Sequence, residues 1–193
     1  MTDDERTALR RVRAGDADAF EAIVALYARS IRRVAARIVG AGDAADDVVQ
    51  ETFLRAFRAL DRFDDTHEFG PWLHRIAANA AIDEARRRGR ELSLTPDEEG
   101  LSPVAEPTSA EPSPARHAAS AEIGRATRKA LAELSPYERA AFVLRHYEGH
   151  SIAEISRALG RRDNATKQSI FRAVRKLRRA LVPFVEVPHE ELA

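Results

Sequence analysis

Five prolines, at positions 96, 103, 107, 112 and 114, crowd one stretch of a chain whose other apolar residues recur at helical spacing. Residues 91–120 also hold five serines, no aromatic side chain, six carboxylates and a single basic residue, Arg116. Such a segment cannot bury enough apolar surface to offset the entropy of ordering, and it reads as a flexible acidic linker. It divides the chain into a block over residues 1–90 and a second over 121–182. Residues 183–193, with Pro183 and Pro188, form a tail. A coil of about 30 residues spans on the order of 30 Å, so two tethered blocks can bind separated places on one partner.

Within both blocks the punctuation is helical and strand signals are nearly absent. Thr2-Asp3-Asp4-Glu5 has capping-box spacing, and Gly15 suits a helix stop. Asp16 is placed to cap a helix whose apolar residues Phe20, Ile23, Val24, Tyr27, Ile31, Val34 and Ile38 recur up to Gly40. Asp43 opens a third helix with Val48, Val49, Phe53, Leu54, Phe57 and Leu60 on its apolar side. Residues 61–69, DRFDDTHEF, break the period. Pro71 then fits a first helical position, and a fourth helix runs into Arg86-Arg87-Arg88. In the second block, Ser135-Pro136-Tyr137-Glu138 and Ser151-Ile152-Ala153-Glu154 are two more capping boxes. Gly149 and Gly160 mark stops, and a long helix follows Asp163-Asn164 as far as Leu181. The expectation is an all-α protein of two small helical domains.

The overall charge is zero, with 31 basic and 31 acidic side chains, but it is unevenly spread. Residues 161–179 carry eight Lys or Arg against the single acid Asp163. A polyanion is the natural partner of such a helix, although a basic amphipathic helix can also be a solvated face or dock on a protein or membrane surface. Its context favours DNA: a Ser-capped helix, a glycine turn and a basic helix make a helix-turn-helix pattern. Ile170, Ala173, Val174 and Leu177 form the packed stripe, leaving Lys167, Gln168, Phe171, Arg172, Arg175 and Arg179 largely off it.

Other chemistries are excluded or unsupported. The chain has no cysteine, hence no disulfide framework or thiolate-held metal. The six histidines are scattered, and His146 and His150 are separated by the expected helix stop at Gly149 without a third ligand. No phosphate loop, dinucleotide fingerprint or nucleophile elbow occurs. No apolar run approaches the ~18 residues of a membrane span, and the charged N-terminus offers no signal-peptide core. A non-enzymatic protein of the cytoplasm, without cofactor, metal or membrane insertion, is expected.

Taken together, the motifs AGDADAFEAIVALY, DDVVQETFLRAFRAL, RF and PWLHRIAANAAIDEARRR, followed by LSPYERAAFVLRHYEGHSIAEISRALG and the basic helix, resemble the bacterial RNA polymerase sigma factors of the extracytoplasmic-function group. The resemblance implies region 2 in residues 1–90 and region 4 in residues 121–182. It implies binding to core RNA polymerase, recognition of the −35 and −10 promoter elements, and DNA melting for transcription initiation. It assigns Asp47, Gln50, Glu51 and Arg55 to the polymerase surface, with Val48, Phe53 and Leu54 as core or groove contacts. The −10 element falls to Phe63, Asp64, Asp65, Thr66, His67, Glu68 and Phe69 of the loop and to the stripe Arg75, Asn79, Asp83 and Arg86. Trp72 reads better as core. The −35 element falls to Lys167, Gln168, Ser169, Phe171, Arg172 and Arg175. An anti-sigma factor is the implied regulatory partner.

The sequence departs from the family at Ser156 and Thr166, where Ala and an aliphatic residue are common, and in the turn RRDNAT. Both hydroxyl side chains are small enough to pack, and each can bond a carbonyl one turn back. A free-standing DNA-binding regulator would use the same basic helix, but it should bind its operator tightly without polymerase.

Overall fold

The computed structural model describes residues 1–94 and 114–185, with side chains described over 1–90 and 122–184. Most of the expected linker, and residues 186–193 of the tail, lie outside the described residues. All regular elements described are helical.

The first unit contains α1 (Asp3–Arg13), α2 (Phe20–Val39), α3 (Asp43–Ala59) and α4 (Phe69–Leu94). Thr2 caps α1 through a complete capping box with Glu5. Asp16 caps the short 3₁₀ turn Ala17–Ala19 that leads into α2. Helices α2, α3 and α4 pack on one another, and α1 lies against α2. Ile23, Ile31, Val34, Ile38, Val48 and Leu73 are almost wholly buried, each contributing ~1.5–3 kcal/mol of transfer free energy. Helix α4 begins two residues before Pro71, which still sits in the first turn where its missing N–H costs nothing. Gly70 sits in a close approach: a Cβ there would meet Tyr27 Cε1 and Oη at 3.3 Å, and the ring would have to give way.

The second unit contains α5 (Pro114–Ala132), α6 (Pro136–His146), α7 (Ile152–Ala158) and α8 (Asp163–Val185). Pro114, the last of the five clustered prolines, is the first residue of α5, a position suited to its fixed φ. Ser135 and Ser151 each form the expected capping box. Between α7 and α8 the chain reverses at Gly160, whose φ of 60° falls in the left-handed region. Arg161 N–H returns to the Ser156 carbonyl at 2.9 Å and closes a Schellman-type turn. Helix α8 continues past Leu181 and takes Pro183 inside it. The expected stop at this proline does not occur: the helix runs two residues further, with the single backbone bond from position 183 to the preceding turn missing.

The two units are packed together. Helix α6 meets α2 and α4, and α7 meets α4, so that Ala140, Ala141, Val143, Leu144, Ile155 and Leu159 join one continuous core with the first unit. Polar contacts reinforce the seam. Arg139 Nη1 donates to the Ile38 carbonyl at 2.6 Å, and Arg37 and Arg86 lie over the rings of Tyr147 and Tyr137 at 4.1 and 4.6 Å. A loose arrangement of two blocks on a tether is therefore not what the described residues adopt.

Candidate nucleic-acid interface

The break between α3 and α4 is a short, self-bonded loop. Leu60–Arg62 form a 3₁₀ turn, after which Asp64 Oδ1 accepts from Thr66 N–H at 2.9 Å and from Thr66 Oγ1 at 2.8 Å. These bonds, the backbone one foremost, hold the Asp64 carboxyl below its ordinary range. Thr66 Oγ1 also lies 3.0 Å from His67 Nδ1. Asp64, Asp65, Thr66 and His67 are all solvent-facing, a set that can accept from and donate to base edges.

The two phenylalanines of the loop are placed differently. Phe69 is completely buried and Phe63 is 5 % exposed. They form an aromatic cluster with Trp72, the Phe63 centroid lying 5.2 Å from Phe69 and 5.1 Å from Trp72. As folded, Phe69 has no free face to stack on a base. Its ring supports the loop from below, and Trp72 packs with it as the sequence suggested.

Along α4, Arg75, Asn79, Asp83 and Arg86 form one stripe that is only partly open. Arg75 is exposed. Asn79 Nδ2 donates to the carbonyls of Arg75 and, across the seam, Ala158, at 2.9 and 2.8 Å. Asp83 accepts from Arg55 of α3 at 3.0 Å, and Arg86 stacks on Tyr137 of α6. Between the loop and α7 lies a groove of about 450 Å³, lined among others by Arg62, Phe63, Asp64, Trp72, Arg75 and Ile155.

A buried polar cluster closes the seam beside this groove. His74 Nε2 is 2.9 Å from Ser30 Oγ, its Nδ1 is 3.5 Å from Glu148 Oε2, and its ring meets that of His150 edge-on at 5.8 Å. Burial, aided by His150 and Arg33, lowers the His74 pKa to about 4, and burial likewise lowers that of His150. Burial raises that of Glu148 against the pull of Arg37 and Arg33. Among the described residues no cluster of His and carboxylate side chains is arranged to hold a metal ion.

On α8, Ala173 and Leu177 are buried, whereas Lys167, Gln168, Phe171, Arg172 and Arg175 face solvent and Ser169 is half-buried. Phe171 is the most open large apolar side chain described, at 62 %. Arg172 is not free: its Nε donates to Glu138 Oε1 at 2.8 Å, beside Lys176 Nζ on Glu138 Oε2 at 2.9 Å. Burial would raise the Glu138 carboxyl, but Lys176, the Ser135 N–H and Arg172 outweigh it and the net shift is downward. Ser156 and Thr166 both face the α7–α8 contact, as expected. Their hydroxyls bond each other at 2.9 Å rather than a carbonyl one turn back.

On α3, Asp47 and Gln50 are exposed, while Glu51 pairs with Arg55 at 2.6 Å. Val48 and Phe53 are core, but Leu54 is 51 % and Phe57 42 % exposed. Leu54 is therefore available as a groove contact rather than core, and Leu26 on α2 is also open, at 55 %. Arg13 is the functional candidate missed by local reading. It reaches from α1 to Asp65 and to the carbonyls of Leu60 and Phe63, a contact that spacing does not signal.

Comparison with known proteins places this geometry. Residues 23–91 match Sigma-70 region 2, and residues 124–177 match Sigma-70, region 4. The chain is 35 % identical to the RNA polymerase sigma factor CarQ of Myxococcus xanthus, over 90 % of this chain and 95 % of CarQ. It is 30 % identical to the ECF RNA polymerase sigma factor SigW of Bacillus subtilis, over 90 % and 94 %. The solved sigma factor RpoE from Bartonella quintana, in complex with the anti-sigma factor NepR, superposes with a TM-score of 0.65 at 24 % identity, covering 84 % of this chain and 96 % of RpoE, and shares its fold. No described helix is long and apolar enough to cross a membrane. The chain belongs to the extracytoplasmic-function group of sigma-70 RNA polymerase sigma factors, proteins of promoter recognition and transcription initiation.

Proposed function

We propose that this sigma factor docks on core RNA polymerase through α3, reads the −10 element with the 61–69 loop and α4, and reads the −35 element with α8. Asp47, Gln50 and Glu51 provide the polar contacts to polymerase, and Leu54 and Phe57 the apolar ones. Asp64, Thr66, His67 and Arg75 receive the −10 strand as it leaves the duplex, where edge hydrogen bonds offset unstacking. Lys167, Gln168, Ser169, Phe171 and Arg175 meet the −35 major groove, each good bidentate contact contributing ~1–3 kcal/mol of discrimination. The polypeptide performs no chemistry, which belongs to polymerase in the cytoplasm.

The observation that carries this reading is the placement of two solvent-facing polar strips on different helical units, one beside α4 and one along α8. Part of the first strip is covered, since Asn79 and Arg86 engage α6 and α7. Use of the whole α4 stripe therefore requires the units to separate, and polymerase is the partner that holds them apart. An anti-sigma factor gripping both units, as a counterpart of NepR, would keep them docked. Run-off transcription with reconstituted holoenzyme tests the assignment. Scrambling either promoter element should abolish initiation, and Gln168→Ala should relax −35 preference alone. A holoenzyme that starts no RNA from any duplex, or one indifferent to both elements, would overturn it.

A further inference from the structure

Helix α1 precedes the segment matched to region 2, which begins at residue 23, yet its last residue is wired into the loop that separates α3 from α4. Arg13 Nη1 pairs with Asp65 Oδ2 at 2.7 Å. Arg13 Nη2 donates to the carbonyl of Leu60 at 3.1 Å and, more closely, to that of Phe63. One planar guanidinium thus fixes the entry, the middle and the tip of the turn, a task suited to its fork of donors. The side chain is only 26 % exposed.

The mooring behind Arg13 is rigid. Leu9 is 2 % exposed and Ala8 7 %, and Glu5 accepts from the Tyr27 hydroxyl at 2.5 Å. The Tyr27 ring in turn meets Phe69, the first residue of α4, edge-on at 5.7 Å. Beyond Arg13, the polar contacts of the loop tip are mostly short-range, from Asp64 to Thr66 and His67, with one wide pairing of the N-terminal ammonium and Glu68 at 4.0 Å. A loop held only by its own bonds would have to order itself on capturing a nucleotide, and that entropy would oppose binding.

We propose that Arg13 is a positioning residue for promoter opening: it clamps the 60–65 turn so that Asp64, Thr66 and His67 are presented to the −10 strand in a fixed arrangement. The inference rests on the assignment of this loop to −10 capture. Arg13 itself touches no DNA, and α1 becomes a working part of region 2.

The test uses the full chain assembled with core polymerase and a promoter carrying 2-aminopurine in the −10 element. Arg13→Ala should slow opening by about tenfold or more, leave core affinity unchanged, and speed amide hydrogen exchange over residues 61–69. Arg13→Lys should recover part of the rate, because one ammonium cannot satisfy the carboxylate and both carbonyls. Asp65→Asn removes the ion pair without altering α1, and it should slow opening by a few fold even if Arg13→Ala fails to fold. Opening at the parental rate in a folded Arg13→Ala, or in Asp65→Asn should Arg13→Ala not fold, overturns the proposal. So does equal loss of core affinity and opening, the mark of a merely structural residue. The underlying assignment fails separately, if the parental holoenzyme opens the promoter but Thr66→Ala and His67→Ala open it equally fast.

Discussion

Asn79 donates its side-chain amide to the backbone carbonyl of Ala158, so a residue of the proposed −10 stripe on α4 is bonded directly to the helix-turn-helix. The same amide group satisfies the Arg75 carbonyl with its other hydrogen, leaving no donor for a base while the units remain docked. Donation from Asn79 to a base and docking of the units are therefore mutually exclusive.

Weakening the seam should therefore expose the −10 stripe. Tyr137→Ala removes the Arg86 stack across the units, an interaction of about 0.5–1 kcal/mol, and should shift docking toward separation two- to fivefold. Arg139→Ala strips a charged donor from the Ile38 carbonyl, about 1.5–3 kcal/mol, and should shift it tenfold or more. The chain contains no cysteine, so dyes on single cysteines introduced at Arg29 and Arg179 report the separation by energy transfer. Both variants should also bind a −10 single strand more tightly without polymerase.

Docking should weaken as the solution is acidified from about pH 6.5. His74 is held neutral at the seam, with its pKa lowered to about 4, and that of His150 is lowered too. Once the units part, both rings return toward the ordinary value near 6.5, so the separated form takes up protons that the docked form refuses. The stabilisation from neutral His is present above that value and lost as pH falls toward 4. Glu148, raised by burial, acts in the opposite sense and nearer the carboxylate range. Arg33 and Arg37 of α2 and Glu154 of α7 are the other charges on the cluster. His74→Phe should flatten the energy-transfer profile between pH 5 and 7; an unchanged slope would contradict the assignment.

The hydroxyl pair inside the helix-turn-helix should behave as a unit. Ser156 and Thr166 are 4 % and 2 % exposed and bond each other. Ser156→Ala leaves the Thr166 hydroxyl buried without that partner and should cost about 1–3 kcal/mol in urea unfolding. Adding Thr166→Val should recover much of the loss, because both polar groups are then gone. Strict additivity of the two changes would refute the coupling.

Glu138 should anchor the recognition helix. Its carboxylate caps α6 and holds Arg172 and Lys176 of α8, with only 8 % of the side chain exposed. Glu138→Gln keeps an acceptor for the cap but loses the charge, and should destabilise the second unit by about 1–3 kcal/mol. Because its folded pKa lies below the ordinary 4.5, this stabilisation is present above pH 4.5 and lost as pH falls through the folded value. The parental chain should show that acid loss in thermal melts, and the Gln variant should not.

The helices and their starts could be read from the sequence because their causes are local. A capping box requires two side chains three residues apart, and those at Thr2, Ser135 and Ser151 formed as spaced. The family motifs were legible for the same reason. For Leu54 the sequence left core and groove contact open, and its 51 % exposure excludes the core, since periodicity marks an apolar stripe without saying how much of it meets a neighbour. Pro183 was misjudged as a stop: α8 runs on through it to Val185, losing the Pro183 N–H bond to the preceding turn without ending there.

Only the tertiary structure decided the contacts made across long sequence separations. Arg13 lies more than 45 residues from the turn it clamps, and Asn79 lies 79 from the carbonyl it covers. Composition and spacing determined that this chain forms two helical units, the second ending in a basic helix suited to a polyanion. Whether the faces of those units meet water, nucleic acid or each other depends on how two surfaces fit in space, a property that no local pattern of residues encodes.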